Sequence, residues 1–441
     1  MKIRITNLAK VSDIEIALDG LTIIAGKNAT GKSSVSRAVM TYFTLVRRLE
    51  DHIRDARIDG IGKGIAEILF TGGRGNWRTR DGRWLRFLSE DDDIMSSEFW
   101  SDSEKVGALI SRILRQDSVR NSLITNRNAR DLFDENGDLI EKIRKVKEVA
   151  LNILSTSDSE YEEFSFRTTF NNVFCGQINS LFSLDSPATI TITTNEAQCK
   201  LSIPYKGLFV LPKSHILGFR MVSYLEPMHI LDAIAAAENY EEADDMLNRY
   251  DSGLETWQRM LHTKRYDPRL SFEDDRDIRK AQDVLNRIGN ILQGKLIETD
   301  ESIKFAEDDI PEPIDLKNLA SGAKSIAMVV KAIENGAIRE GDLFIIDEPE
   351  SNLHPEWQVR FAELLTLLLK ELSIKVLINT HSPYFLKAIE MFSKKYNVSE
   401  RTHYYFMENV SSCGSVGREI TSDLTVAYES LYTPLAKLME I

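Results

Sequence analysis

The segment Gly26-Lys27-Asn28-Ala29-Thr30-Gly31-Lys32-Ser33 constrains this chain more than any other stretch, because its G-x-x-x-x-G-K-[ST] spacing functions only between a strand and a helix. Leu21-Thr22-Ile23-Ile24 before it is a short apolar, β-branched run, and Ser34 to Thr44 after it carries helical periodicity. In that setting Gly26 and Gly31 let backbone amides converge on phosphate oxygens, and the helix N-terminus adds positive potential. Lys32 neutralises charge and the Ser33 hydroxyl is a magnesium ligand candidate. The expected nucleotide-binding set is Gly26, Lys27, Asn28, Ala29, Thr30, Gly31, Lys32, Ser33 and Ser34.

Three later segments supply matching chemistry. Leu343-Phe344-Ile345-Ile346 has the continuous apolar character of a buried parallel strand and ends in Asp347-Glu348. A carboxylate at such a strand end, beside a phosphate loop, holds magnesium, and the adjacent one polarises an attacking water. Asp347 takes the first role and Glu348 the second. Val376-Leu377-Ile378-Asn379 repeats the strand pattern and leads to Thr380-His381-Ser382-Pro383, where His381 could hydrogen-bond a γ-phosphate or the water. Pro355 opens the helix that two parallel strands need between them. Upstream, Leu319-Ala320-Ser321-Gly322-Ala323-Lys324 precedes a helix carrying Ile326, Val329, Val330 and Ile333 on one side. Ser321 and Gly322 would sit at that helix's N-terminus, a second place suited to an anion. Two phosphate-binding helix ends in one chain suggest that two chains sandwich two nucleotides.

The rest of the sequence narrows the class. Its 42% hydrophobic content is globular, and 441 residues leave room for two or three domains. The net charge of −13 repels nucleic acid and anionic membranes and so disfavours both as partners. Cys175, Cys199 and Cys413 lie far apart with no C-x-x-C, which argues against structural zinc or a disulfide framework and suits a reducing cytosol. With no signal-like start and no long uncharged apolar run, the expectation is a cytoplasmic protein outside the membrane.

In chain order, strands are expected at Lys2 to Thr6, Asp13 to Leu18 and Leu21 to Ile24. Residues 1–45 would form the first part of a nucleotide-binding lobe, and a charged helix from Val46 takes the chain out of it. A mainly helical insertion then spans 46–160, strongest at Asp138 to Leu154. Within it, Asp81-Gly82 centres a hairpin over 76–87 rich in arginine and tryptophan. Two readings of that hairpin stand: a basic, aromatic finger for nucleic acid or a phosphorylated partner, or, preferred, arginines paired with the acidic run Glu90 to Asp93 and tryptophans packed on the helical insertion. Tyr161 to Leu184 reads as helix, followed by strands at Ala188 to Thr194, Lys200 to Pro204 and Gly207 to Leu211, so that 161–225 returns to the lobe. Residues 226–300 read as a helical segment, and 301–441 as the second part of the lobe, with strands at Ser302 to Phe305 and His403 to Met407.

Together these motifs resemble the ABC-type ATPases of the SMC and RecF class, most closely the stand-alone group with the overcoming-lysogenization-defect (OLD) ATPase domain. Gly26 to Ser33 match Walker A, Leu319 to Lys324 the signature, Leu343 to Glu348 Walker B, and Thr380 to Pro383 the switch histidine. Glu348 to Pro355 is similar to that group's E-P-E-x-x-L-H-P segment. The resemblance implies an α/β P-loop NTPase of the ABC-ATPase head type with a large, mainly helical insertion, ATP and Mg2+ as cofactors, and an ATP-dependent homo-oligomer. It also implies that Ser321, Gly322 and Lys324 act on the partner's nucleotide, and that Gln177 is either the glutamine that reaches magnesium or a solvent-facing helix residue. Two positions depart from the pattern: Ala320 stands at the usual first serine of the signature and Ala29 at a common loop glycine, so slow hydrolysis is expected.

Members of the OLD group often carry a C-terminal nuclease, and about 60 residues follow His381 here, too few for one. The implied function is an ATPase subunit that regulates a separate effector, a nuclease or toxin, as in the Septu and PARIS anti-phage systems. A RecF- or SMC-like DNA-repair or chromosome ATPase, and a scaffold that holds ATP with little turnover, are the alternatives.

Overall fold

The computed structural model describes residues 1–69, 92–114, 136–225, 294–298, 303–307, 311–315, 318, 321–334, 338–411 and 413–439. The hairpin expected at 76–87, the helical reading of 226–293, and Leu319 and Ala320 of the signature lie outside them. The chain forms two compact units, residues 1–47 with 167–441 and residues 48–166.

The first unit is built on a ten-stranded sheet, and the mixed α/β P-loop fold expected from the sequence is the fold the chain adopts. Its strands are β1 (Lys2–Leu8), β2 (Val11–Ala17), β3 (Leu21–Gly26), β4 (Ala188–Thr193), β5 (Gln198–Ile203), β6 (Val222–Leu225), β10 (Leu343–Asp347), β11 (Lys375–Thr380), β12 (Thr402–Val410) and β13 (Gly414–Glu419). A separate antiparallel sheet holds β7 (Gly294–Glu298), β8 (Ile303–Glu307) and β9 (Ile314–Asp315). In the large sheet the order is β5-β4-β1-β2-β13-β12-β3-β11-β10-β6. The run β12-β3-β11-β10-β6 is parallel throughout. Every residue of β3 and β10 is buried, as expected for parallel strands covered on both faces.

Helix α1 (Lys32–Arg47) follows β3 directly and packs on the sheet. In the second unit lie α2 (Leu49–Leu69), α3 (Ser97–Ser101), α4 (Ser103–Leu114) and α5 (Asn136–Ser155), and α6 (Asp158–Val173) begins there. Trp100, Ile61, Ile110 and Ala150 are central to its core, and the Trp100 indole donates to the Ile94 carbonyl at 2.6 Å. In the first unit, α7 (Ser321–Glu334), α8 (Pro355–Leu372), α9 (Pro383–Lys395) and α10 (Thr425–Met439) contribute Val329, Leu365, Phe385 and Ala427 to a core shared with Ile23, Ile346 and Ile378. No described helix is long and apolar enough to cross a membrane.

Several sequence expectations are corrected. The helix expected to run to Leu184 ends at Val173, because Cys175 (φ 50°) and Gly176 (φ 76°) turn left-handed. The Gly176 amide closes back on Asn171 O at 2.8 Å, a Schellman-type stop. Gln177 is therefore an exposed loop residue, not a helical one. The strand expected at Gly207 to Leu211 reduces to a single bridge between Ser202 and Val210. Residues 294–298, at the end of the segment read as helical, form strand β7 because they pair antiparallel with β8, and strands β6, β9 and β13 had no sequence expectation.

Candidate phosphate and metal site

Parallel pairing brings the ends of β3, β10 and β11 to one edge of the sheet. The register sets Ala25 beside Thr380 and Asp347 beside Asn379. The loop from Gly26 to Gly31 rises from that edge into α1. Two glycines are demanded by close approach: a Cβ on Gly26 would lie 2.6 Å from Met407 O, and Gly31 takes φ 86° with Val11 3.0 Å from where its Cβ would be. Ala29 adopts φ 59° without being glycine, and its carbonyl accepts from Lys10 Nζ at 2.6 Å. Thr30 Oγ1 donates to Lys27 O at 2.8 Å. Lys27 and Asn28 are exposed, and Ser33 and Ser34 lie partly buried at the start of α1.

Lys32 is buried, with Nζ donating to the carbonyls of Gly26 at 2.8 Å and Lys27 at 2.9 Å. Burial lowers its pKa, against the opposing pull of Glu348, Asp347 and Glu350. The buried ammonium thus lies near three carboxylates that favour its charged form.

Asp347 is 4% exposed, with Oδ1 accepting from Asn379 Nδ2 at 3.0 Å and Oδ2 from Tyr224 OH at 3.0 Å. Asn379 Nδ2 also reaches Ser36 Oγ on α1, at 2.8 Å. Among the described residues each oxygen accepts one hydrogen bond, which leaves acceptor capacity on both, and a carboxylate with a hydroxyl such as that of Ser33 is the kind of oxygen donor set that magnesium prefers. The residues fit Mg2+, which would supply charge neutralisation for a bound triphosphate. Tyr224 had no sequence signal: it lies in a four-residue strand 123 positions before its partner.

At Glu348 the chain leaves the strand direction through a left-handed backbone, φ 50°, a conformation that costs about 1–2 kcal/mol. The turn keeps Asp347 inside while Glu348 stands half-exposed, its Oε1 3.3 Å from His381 Nδ1 and its Oε2 accepting from Ser351 Oγ at 3.3 Å. His381 Nδ1 also lies 3.4 Å from Glu350 Oε1. Ser382 caps α9, accepting from the Phe385 amide at 3.2 Å and donating to Gln358 at 2.8 Å, while His354 caps α8.

The structure thus gathers the phosphate loop, Asp347, Glu348 and His381 at one sheet edge. Ser321, Gly322 and Lys324 lie in the opening turns of α7. Gln177 precedes Ile178, whose carbonyl accepts from Ala9 N at 2.6 Å, next to the Lys10 that holds the phosphate loop. No described contact takes Gln177 itself to Asp347.

Three solved structures are similar across nearly the whole chain at low identity. An SMC head domain from Thermotoga maritima shows 11% identity and a TM-score of 0.38, covering 95% of this chain and 98% of its own. An SMC head bound to the C-winged helix domain of ScpA gives 10% and 0.37, covering 96% and 98%. An SMC head domain with an extended coiled coil, bound to the C-terminal domain of ScpA and derived from Pyrococcus furiosus, gives 12% and 0.33, covering 98% of each. No curated protein matches. Residues 220–387, which hold strands β6 to β11, helices α7 and α8 and the start of α9, match the family described as "AAA domain, putative AbiEii toxin, Type IV TA system".

Proposed function

We propose that this chain is a Mg2+-dependent ATPase whose nucleotide state governs assembly with a second copy and the activity of a separate effector, a nuclease or toxin, in anti-phage defence. One observation carries the catalytic part: the phosphate loop, a buried carboxylate, a half-exposed carboxylate and a histidine converge at the ends of adjacent parallel strands. Lys32 and the loop amides hold the β- and γ-phosphates, and Asp347 with Ser33 holds the metal. Glu348 accepts a proton from the attacking water, while His381 orients that water or the γ-phosphate. The effector part rests on the resemblance to OLD-type ATPases and on the matched family's description, which belongs to a toxin–antitoxin system. The net charge of −13 favours a protein partner over nucleic acid.

The test is phosphate release and ATP binding by the full chain. Wild type is expected to release phosphate only with Mg2+. Lys32→Ala should lose ATP binding, and Glu348→Gln should bind ATP but release phosphate at least about 100-fold more slowly. Wild-type protein that neither binds nor hydrolyses ATP would end this reading.

A further inference from the structure

Glu350 is a deeply buried carboxylate beside the candidate site, with a side chain 4% exposed. One of its oxygens does almost all of its bonding. Oε1 accepts from Thr380 Oγ1 at 2.7 Å, from the His381 amide at 2.7 Å and from the Ser382 amide at 3.0 Å. Oε2 is buried and has no hydrogen-bond partner among the described residues. Burial pushes the carboxyl's pKa up, and the Thr380 hydroxyl and the amides of Glu350 and His381 oppose that shift. A carboxylate is a costly way to fasten a turn that a neutral side chain could also cap. What distinguishes this turn is that it carries His381.

We propose that Glu350 is a positioning residue that locks the Thr380–Ser382 turn, so that His381 is presented to Glu348 and to the phosphate loop. Glu348 and Glu350 flank Pro349 at the end of β10, whereas His381 begins the turn after β11, so the two strand ends are joined across the site through Oε1. His381 Nδ1 lies within 3.4 Å of both carboxylates, and a displacement of the turn by about 1 Å would disrupt both approaches. The kinetic consequence rests on the ATPase reading, but the lock itself does not.

Two measurements on the full chain separate these levels. The first is amide hydrogen exchange in peptides spanning 380–385. Glu350→Ala should speed exchange of the His381 and Ser382 amides by about tenfold, and Glu350→Gln, which keeps an acceptor oxygen for the same donors, should restore protection. The second is Mg-ATP turnover, with kcat expected to fall about 10- to 100-fold in Glu350→Ala, KM changing less than about threefold, and Glu350→Gln recovering most of kcat. Should Glu350→Ala not fold, Thr380→Val removes one of the three donors and should move both readouts in the same direction by a smaller factor. Wild-type amide protection in Glu350→Ala, or equal loss of kcat in the Ala and Gln variants, overturns the proposal. A wild type without turnover would defeat the ATPase reading alone, because the exchange measurement still decides the lock.

Discussion

At the scale of single residues, the site is held by backbone conformations that its side chains do not favour. Ala29 and Glu348 both take left-handed φ angles, 59° and 50°. At Ala29 the cost has no visible chemical return from the methyl group, which is exposed, while the carbonyl is what Lys10 engages. Ala29→Gly should therefore keep the loop geometry and raise stability by about 0.5–1 kcal/mol, the left-handed penalty less the extra freedom of glycine in the unfolded chain. Chemical denaturation of the two proteins checks this, and a stability loss would mean that the methyl group packs usefully. The motif residues were legible because the phosphate loop's spacing is itself the signal. Glu350 and Tyr224 were not legible as site residues, since their meaning lies in the donor or acceptor that folding puts opposite them.

At the scale of elements, the strands that carry chemistry were readable and the ones that extend the sheet were not. β3, β10 and β11 are continuous apolar runs because both of their faces are covered. β6 has only four residues, and β13, Gly-Ser-Val-Gly-Arg-Glu, is a strand because β12 and β2 offer it partners on both sides. Helices α9 and α10 meet through Glu390, which accepts from Lys387 at 2.8 Å, Lys394 at 2.6 Å and Tyr428 OH at 2.8 Å. Burial pushes this carboxyl up, yet the hydrogen bonds outweigh it and hold its pKa down to about 2. A depressed carboxylate stabilises the fold above its unfolded pKa of about 4.5 and ceases to do so as pH falls through about 2. Wild type should accordingly be more stable than Glu390→Gln at pH 7, with the gap narrowing between about pH 4.5 and pH 2 in denaturation titrations. A gap independent of pH would assign the effect to packing.

At the scale of the whole molecule, the phosphate loop and the opening turn of α7 at Ser321-Gly322 belong to the same compact unit. The proposed function assigns that turn to a second copy's nucleotide. Light scattering of Glu348→Gln should then report an approximate doubling of mass on adding Mg-ATP, and Lys32→Ala should show none. A monomer mass that ATP leaves unchanged would remove the homodimer from the proposal. By itself, the sequence determined the phosphate loop, the two strands that end in Asp347-Glu348 and Thr380-His381, and the helices that follow them. Those features depend on spacing within a few residues, where backbone conformation is local. Only the tertiary structure decided that β3 lies between β11 and β12, that Tyr224 holds Asp347, and that Glu350 fastens the His381 turn. Such pairings depend on which strand edges and buried polar groups meet when the whole chain hides its apolar surface and satisfies its hydrogen bonds at once.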